Sequence, residues 1–267
     1  MNFISSKDNN KIKEITRLLS SKKERNDKGL FVVEGVRICR DIAMGNIKIN
    51  ETYVTRECME KFSAEAKAIL EASEVIYEIT KEIAAKISDT KTPQGIFCVC
   101  EMPRDVSEIN PKGNYLMLCS LQDPGNIGTI IRTCDAFKTD GLIMTADCPD
   151  IYSPKLLRST MGAAFRLNII IYPDAKTAVN ALKKLGIRLY AAALKSDSKL
   201  ITDVSLGEGS CVMIGNEGNG LSEDEIKLAD ERVIIPMNKE SESLNAAVAS
   251  SVFAWEMFRE KLKKENH

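Results

Sequence analysis

The sequence predicts an α/β protein with two domains, and three observations lead to that prediction. Short apolar runs typical of strands alternate with amphipathic helical stretches along almost the whole chain. The alternation is interrupted at 101–114 by a segment with two prolines, a glycine and several polar residues. A length of 267 residues with 44% hydrophobic residues is enough for two ordinary cores. We therefore predict one domain at 1–103, a linker at 104–113 and a second domain at 114–267.

The first predicted domain begins with an amphipathic helix over 9–25. Its apolar residues Ile12, Ile15, Leu18 and Leu19 recur at helical spacing, and its outer face is basic. Strands and helices then alternate as in a compact α/β module. The predicted strands are 30–34, 51–55, 75–79 and 95–100, and the predicted helices are 35–43, 64–71 and 81–87.

The second predicted domain repeats this alternation and closes with a long helix. In an α/β sheet, ligands bind in crevices beside the carboxyl ends of strands, so we expect functional residues in the loops found there. The predicted strands are 115–119, 141–145, 167–171, 188–192, 211–214 and 233–235, and the predicted helices are 126–137, 153–157, 175–185, 223–229 and 244–264.

The composition excludes several classes of enzyme. The single histidine is His267, and a side chain in a solvated tail cannot act as a buried base or a metal ligand. Ser-His-Asp and Cys-His nucleophiles and His-ligated zinc sites are therefore excluded. The eight cysteines include no C-x-x-C pair, no apolar run is long enough to cross a bilayer, and the N-terminus lacks signal-peptide features. We expect a cytoplasmic protein with reduced thiols, no metal and no membrane segment.

Charge is unevenly distributed along the chain. The formal net charge is −1, yet residues 1–28 carry eight Lys or Arg against four Asp or Glu. Such a basic run is either a solvated helix face or a surface that contacts phosphates. Composition alone leaves both interpretations open.

Asp123-Pro-Gly-Asn-Ile-Gly-Thr-Ile-Ile-Arg132 runs from a predicted strand into a predicted helix. Pro124 and Gly125 favour a turn, and Asn126 is a candidate helix cap. Gly128 weakens a helix, which indicates that something packs close to the backbone there. The alternative is an ordinary capped helix with a surface arginine.

Val212-Met-Ile-Gly-Asn-Glu-Gly-Asn-Gly-Leu-Ser222 is a glycine-rich turn at the end of a predicted strand. It resembles a phosphate-binding loop, but Leu221 stands where the essential lysine would be. It also lacks the G-x-G-x-x-G dinucleotide fingerprint. Three glycines around Glu217 favour a ligand loop of another kind over a purely structural turn.

Ile234-Ile-Pro-Met-Asn-Lys-Glu-Ser-Glu-Ser-Leu-Asn-Ala-Ala-Val-Ala249 leads from the last predicted strand into the final helix. Ser243 is a candidate cap for that helix. Small residues in its first turns permit close backbone packing, and Asn245 is a candidate to hold a polar group of a substrate.

Together these segments resemble the SpoU (TrmH-like) RNA ribose methyltransferases of the SPOUT superfamily. The three family motifs stand in order at 126–132, 215–221 and 235–245. Residues 9–40, ending in Gly29-Leu-Phe-Val-Val-Glu-Gly-Val36, resemble the family's N-terminal substrate-binding domain. The resemblance covers nearly the whole chain, and Lys138 departs from it where relatives often have glycine.

The resemblance implies a fold and a cofactor. The fold is a SPOUT-type parallel sheet with a deep trefoil knot, preceded by a small α/β RNA-binding domain that resembles some ribosomal proteins. The cofactor is S-adenosylmethionine, bent inside the knot. Positions that match or adjoin the family's cofactor contacts are Gly215, Asn216, Gly220, Ile235, Met237 and Leu244.

The resemblance also implies catalytic residues and an assembly. Arg132 matches the catalytic arginine, and the other catalytic positions are Asn126, Glu217, Ser243 and Asn245. The family works as homodimers joined through the C-terminal domain, and the arginine can complete the partner's site. Because a guanidinium is a poor base, we hypothesise that Arg132 lowers the pKa of a ribose hydroxyl while a phosphate or water takes the proton.

The predicted activity is methyl transfer from S-adenosylmethionine to a ribose 2′-hydroxyl of ribosomal, 23S-type RNA. A tRNA substrate is the nearest alternative. A non-catalytic RNA-binding protein is disfavoured by the presence of Arg132, Glu217 and Asn245, and a nucleotide hydrolase is disfavoured by Leu221. Given an RNA substrate, we predict phosphate contacts from the basic N-terminal residues Lys11, Lys13, Arg17, Lys22, Lys23 and Arg25.

Overall fold

The computed structural model describes residues 1–103, 108–238 and 243–265. Residues 104–107 of the predicted linker and His267 lie outside this range. The chain divides into two compact units. Unit 1 is Met1–Asp105 with Asp150–Gly162, and unit 2 is Val106–Pro149 with Ala163–His267. A short stretch of the predicted second domain thus packs with unit 1, while the boundaries at 103 and 114 stay a prediction.

The secondary structure alternates as an α/β fold requires. Up to residue 103 the elements are β1 (Asn2–Ile4), α1 (Asn10–Ser20), α2 (Lys22–Lys28), β2 (Leu30–Glu34), α3 (Val36–Ala43), β3 (Ile49–Val54), α4 (Arg56–Lys61), α5 (Ser63–Glu71), β4 (Ser73–Ile79), α6 (Lys81–Ile87) and β5 (Ile96–Glu101). Beyond residue 108 they are β6 (Asn114–Leu118), α7 (Pro124–Ala136), β7 (Gly141–Thr145), α8 (Pro154–Thr160), β8 (Ile169–Tyr172), α9 (Ala175–Lys184), β9 (Arg188–Ala192), β10 (Lys199–Leu200), β11 (Ser210–Ile214), α10 (Glu223–Leu228), β12 (Glu231–Ile234) and α11 (Ala246–Glu265).

Unit 1 is built on a mixed sheet with the strand order β1-β4-β3-β5-β2 in the described residues. Strand β5 is antiparallel to both of its neighbours, whereas β3, β4 and β1 are parallel. Helices α1 and α6 bury Ile12, Ile15 and Ile83 against sheet residues such as Phe97. This packing fits the apolar spacing that predicts the N-terminal helix.

Unit 2 is built on a parallel sheet with the order β10-β12-β9-β11-β6-β7-β8 in the described part of the chain. Helices α9 and α10 pack on one face through a cluster that includes Met117 and Met213. Every residue of β6, β7 and β11 is buried, so the sheet is covered on both faces. The α/β class with a parallel C-terminal sheet is confirmed.

Some local features differ from the predictions. The N-terminal helix is two helices, because Ser21 is extended and its side chain caps α2. Strands β1 and β10 were not predicted, since three and two residues are too few for a periodic signal. Helix α4 was not predicted either. Within the described residues, no helix has the length and apolarity needed to span a membrane.

Candidate active site

A cavity of about 350 Å³ lies in unit 2 beside the carboxyl ends of β9, β11 and β12. All six predicted cofactor positions line it, and so do three of the predicted catalytic residues. The six are Gly215, Asn216, Gly220, Ile235, Met237 and Leu244, and the three are Glu217, Ser243 and Asn245. Asn126 and Arg132, by contrast, are not among its lining residues.

Gly215 lets the glycine-rich loop close on itself. A Cβ atom at this position would lie 2.1 Å from both the carbonyl carbon of Gly220 and the nitrogen of Leu221, a distance no side chain tolerates. The backbones of Asn216 and Gly220 exchange two hydrogen bonds, of 3.1 and 2.8 Å. Gly220 has a φ of 67°, which favours glycine. The loop is therefore a closed turn with backbone groups at the cavity wall.

Asn216 supports this loop with its whole side-chain amide. Its Oδ1 accepts from the N–H groups of Gly218 at 2.9 Å and Asn219 at 3.3 Å. Its Nδ2 donates to the carbonyl of Ser120 at 2.9 Å, in the loop that follows β6. The side chain thus ties the loop after β11 to the loop after β6.

Glu217 accepts three hydrogen bonds from the segment 122–126, which leads into α7. The N–H groups of Gln122 and Asp123 donate to its carboxylate at 3.0 Å each, and Asn126 Nδ2 donates at 3.1 Å. Partial burial raises the pKa of Glu217, but these hydrogen bonds outweigh it, so the pKa lies below its ordinary value. An ionised carboxylate with this many donors is a poor proton acceptor and a good anchor.

Asn126 connects Glu217 to Asn245. Its Oδ1 accepts from Asn245 Nδ2 at 3.1 Å, so one amide joins the second and third motifs. Asn245 Oδ1 in turn accepts from the N–H groups of Ala247 and Val248 at the start of α11. The three motif segments are therefore joined by an unbroken chain of side-chain hydrogen bonds.

The predicted caps of α7 and α11, Asn126 and Ser243, are both wrong. The cap of α7 is Asp123, whose carboxylate accepts from Gly125 and Asn126, because Pro124 occupies the first helical position. The residue that caps α11 is Asn245, which lies next to the helix start, whereas Ser243 lies two residues earlier. The asparagines predicted as site residues are thus also part of the two helix starts.

Arg132 lies on an exposed face of α7. It follows Asn126 by six residues, which is about 9 Å along the helix axis and about 240° around it. The neighbouring Thr133 contacts Ser251 of α11, with 3.2 Å between the two hydroxyl oxygens. Among the residues that the structure describes, Arg132 forms no hydrogen bond or ion pair. Its guanidinium is therefore available, although it does not line the cavity of its own chain.

Several residues that line the cavity were not predicted from the sequence. Ala192, Ala193 and Leu194 follow β9 and form one wall of the cavity, while Phe253 of α11 contributes another apolar surface. The available signal was the position of Ala192–Leu194 after a predicted parallel strand. Within the described residues, no group of three His, Cys, Asp or Glu side chains is placed to hold a metal ion.

The six basic residues predicted to contact RNA belong to unit 1 and differ in availability. Lys13, Arg17, Lys22 and Lys23 are exposed, with Arg17 Nε 3.8 Å from a carboxylate oxygen of Glu24. Lys11 is paired with Glu51. Arg25 is only 4% exposed, because its guanidinium forms a 2.6 Å ion pair with Asp150 and donates to the carbonyl of Leu18. The prediction for Arg25 is therefore wrong, since a phosphate cannot reach it.

Comparison with known proteins places both parts of the chain. The sequence model of the SpoU rRNA Methylase family matches residues 113–255, and that of the MRM3-like substrate binding domain matches 9–98. The chain is 28% identical to the 23S rRNA (guanosine(2553)-2′-O)-methyltransferase RlmP of Bacillus subtilis, over 96% of this chain and 99% of that protein. It is 30% identical to an uncharacterized tRNA/rRNA methyltransferase of Synechocystis, over 96% and 93%. The AdoMet-bound rRNA methyltransferase of Sinorhizobium meliloti superposes with a TM-score of 0.85 at 25% identity, covering 97% of each chain.

Proposed function

Because the chain belongs to the SpoU rRNA Methylase family, we propose that it methylates a ribose 2′-hydroxyl of ribosomal RNA with S-adenosylmethionine as the methyl donor. The protein is an RNA methyltransferase. The observation that carries the proposal is the hydrogen-bonded chain Asn245–Asn126–Glu217. It joins all three motif segments, and two of its three residues line the cavity.

The residues around the cavity fit S-adenosylmethionine. A cavity of about 350 Å³ lined mostly by apolar side chains, with backbone groups of a closed glycine turn, suits an adenosine moiety. The close approach at Gly215 leaves that backbone uncovered by side chains. Gly215, Ile235 and Leu244 would hold the cofactor through backbone groups and apolar contact. When bound, the cofactor supplies a methyl group that its sulfonium sulfur has already made electrophilic.

The chain's own residues align the reacting groups and stabilise the negative charge that develops on the ribose 2′-oxygen. The Asn245–Asn126–Glu217 chain holds the start of α7 against the glycine turn, and alignment alone can contribute roughly 7–11 kcal/mol to such a reaction. Arg132 is the group proposed to meet the ribose. Its guanidinium donates to the 2′-oxygen and stabilises the developing negative charge. The proton leaves to a phosphate or a water, since Glu217 is ionised and fully engaged.

The proposed assembly is a homodimer in which Arg132 serves the partner's site. Helix α11 has an exposed apolar stripe at intervals of seven residues, formed by Val248 (49% exposed), Trp255 (45%) and Leu262 (36%). Trp255 packs edge-on against Phe137, the residue that follows the end of α7. Burying this stripe against a second copy would bring the exposed face of α7, with Arg132, toward the partner's site.

The remaining parts of the proposal concern RNA contact, the knot and location. The exposed Lys13, Arg17, Lys22 and Lys23 are proposed to contact phosphates, and Lys11 and Arg25 are not. A knot is supported by the sheet order, because the chain passes from the central β11 to β12, which lies next to the edge strand β10, and then back to α11, which packs on β6 and β11. A cytoplasmic location is supported by eight buried free cysteines.

The test is methyl transfer in vitro. The purified protein is incubated with radiolabelled S-adenosylmethionine and, separately, with unmodified 23S-type ribosomal RNA and with tRNA transcripts. Incorporation into ribosomal RNA, followed by resistance of one backbone position to alkaline hydrolysis, is the expected result. Incorporation into tRNA alone would contradict the ribosomal proposal, and transfer to a base would contradict ribose as the acceptor.

A further inference from the structure

Unit 1 contains a groove that none of the predictions identified. It has a volume of about 170 Å³, about half that of the cofactor cavity. Its lining includes Arg37, Gln94, Arg158 and Met161, together with Gly35 and Ile38. We call it the Arg37–Arg158 groove. Gly35 to Gln94 lie in the segment matched by the substrate binding domain, and Arg158 and Met161 lie in the segment matched by the methylase family.

Arg158 presents a fixed guanidinium to this groove. Its Nη2 forms a 2.6 Å ion pair with Asp89, and its side chain is 29% exposed. Its Nη1 is buried and has no hydrogen-bond partner among the described residues. A buried donor left without a partner is costly and is typical of a place where a ligand or a small shift completes the geometry. A planar cation held by one carboxylate is a ready surface for a flat ring.

Two further donors stand beside Arg158. Gln94 Oε1 accepts from the N–H of Val36 at 2.8 Å, which fixes the amide and leaves its Nε2 donors without a partner in the described ranges. Arg37 is exposed on the first turn of α3 and forms no ion pair with any described residue. The nearby Glu34 carboxylate is already engaged by the hydroxyls of Ser88 and Thr90. The groove therefore offers donors and few free acceptors.

The remaining wall is apolar and held in an unusual backbone conformation. Met161 has a φ of 50° and Gly162 a φ of 84°, so two successive residues adopt the left-handed region. Met161 is 52% exposed as a result, and Ile38 lies in the groove with it. A non-glycine residue rarely adopts this conformation without a compensating role. The groove is therefore lined by an exposed apolar side chain, Met161, and by the guanidinium-bearing Arg158.

We propose that the Arg37–Arg158 groove binds an unpaired nucleobase of the RNA substrate. The inference rests on the proposed function, which supplies RNA as the ligand class. Proteins read single-stranded RNA by stacking splayed bases on guanidinium planes and by hydrogen bonds to their edges. Here Arg158 and Met161 enclose the ring, and Arg37 and Gln94 donate to acceptors on its edge. The positive charges of Arg37 and Arg158 are nearly balanced by the carboxylates of Glu34 and Asp89, the latter paired with Arg158. This balance favours an uncharged base over a phosphate.

The experiment measures the binding of a fluorescein-labelled oligouridylate by anisotropy. Three variants are compared with the wild type: Arg37→Ala with Gln94→Ala, Met161→Ala, and the control Arg56→Ala. Arg56 is an exposed arginine of the same unit outside the groove. An abasic oligonucleotide of the same length and a fully paired RNA duplex serve as further probes. Arg158→Lys, which keeps the charge but loses the flat guanidinium, is a fourth variant.

Each groove variant is expected to bind oligouridylate about tenfold more weakly, a typical cost of a lost base-stacking contact. The abasic strand should bind the wild type as weakly as it binds the variants. Unchanged affinity in all groove variants, or equal affinity of the wild type for abasic and normal strands, would overturn the proposal. Methyl transfer is assayed on the same preparations. If the wild type binds oligouridylate through the groove but transfers no methyl group, the proposed function is refuted. The proposal that the groove binds a nucleobase would then still stand.

Discussion

The side-chain nitrogen of Asn245 donates to the side-chain oxygen of Asn126 at 3.1 Å, across 119 positions of the chain. Each side-chain amide also forms hydrogen bonds through its other atom. Asn126 Nδ2 donates to Glu217, and Asn245 Oδ1 accepts from the first N–H groups of α11. Because neither amide can rotate without breaking two contacts, the relative placement of the three motif segments depends on this pair.

Asn126→Ala should lower turnover without lowering cofactor affinity. The change removes a hydrogen bond to the ionised Glu217, worth about 1.5–3 kcal/mol, so we expect turnover to fall by roughly ten- to a hundredfold. Asn126 does not line the cofactor cavity. Single-turnover methyl transfer and calorimetric titration with S-adenosylmethionine separate the two effects. Thr129→Ala on the same helix is the control, and equal losses in both variants would contradict the prediction.

Gly215→Ala should abolish cofactor binding. The new Cβ would meet the backbone of Gly220 and Leu221 at 2.1 Å, so the turn must open, at a cost of about 1–3 kcal/mol in the free energy of unfolding. Gly218→Ala is a matched control in the same loop, because the nearest neighbour of its Cβ would be the side-chain oxygen of Asn216 at 3.5 Å. Calorimetry and denaturant unfolding provide the measurements. A Gly215→Ala variant that binds normally would show that the turn is not part of the site.

The contribution of Glu217 to stability should depend on pH in one direction. Its pKa is lowered in the folded protein, so the ionised form stabilises the fold at pH values above the ordinary 4.5. That stabilisation should disappear as the pH falls through the lower folded pKa. Urea unfolding of the wild type and of Glu217→Gln from neutral to acidic pH tests this. The free energy of unfolding of the wild type should exceed that of Glu217→Gln by a constant amount above pH 4.5, and this excess should shrink below pH 4.5. An excess that grows as the pH falls would contradict the prediction.

Mixing two inactive variants should restore activity if Arg132 serves the partner subunit. Arg132→Ala lacks the guanidinium, and Asn245→Ala lacks the motif contact within its own chain. Random reassembly of the two would give roughly a quarter of the sites both intact halves, since only heterodimers contain such a site. Methyl transfer is measured before and after unfolding and refolding the mixture. Failure to recover activity while light scattering reports dimers would place Arg132 in its own chain's site.

Charge reversal on the exposed basic residues should flatten the salt dependence of RNA binding. Lys13→Glu, Lys22→Glu and Lys23→Glu together should reduce the slope of log affinity against log salt by roughly one per lost phosphate contact. Anisotropy titrations over a range of salt concentrations measure it, and Lys67→Glu on α5 is the control. An unchanged slope would mean that this face is merely solvated.

The sequence predicted the site segments but not their local geometry. The three segments could be predicted because glycines and polar residues follow apolar strands there, and loops at the carboxyl ends of strands in an α/β sheet commonly bind ligands. The caps were misassigned because Asp123 and Asn126 are equally suitable by type, and only the placement of Pro124 in the first turn decides between them. Lys138 has a φ of 50°, a conformation that favours glycine, so the glycine that the family resemblance leads one to expect there has a structural reason.

Long-range partners were beyond the reach of periodicity. Arg25 was predicted to contact phosphates because it belongs to a basic run, yet its partner Asp150 lies 125 residues further along the chain. Nothing in local spacing indicates that 150–162 packs with unit 1. The Arg37–Arg158 groove depends on that packing, so it too was invisible in the sequence.

The position of Asn245 at the beginning of α11 couples the site to the fraying of a helix end. The opening turn of a helix is ordinarily the part that opens most readily, with local unfolding that costs far less than global unfolding. Here that turn holds the last link to Asn126, so each excursion of the turn disassembles the site. A ligand that binds only when this first turn is helical must slow amide hydrogen exchange at Ala247 and Val248, whose N–H groups donate to Asn245 Oδ1.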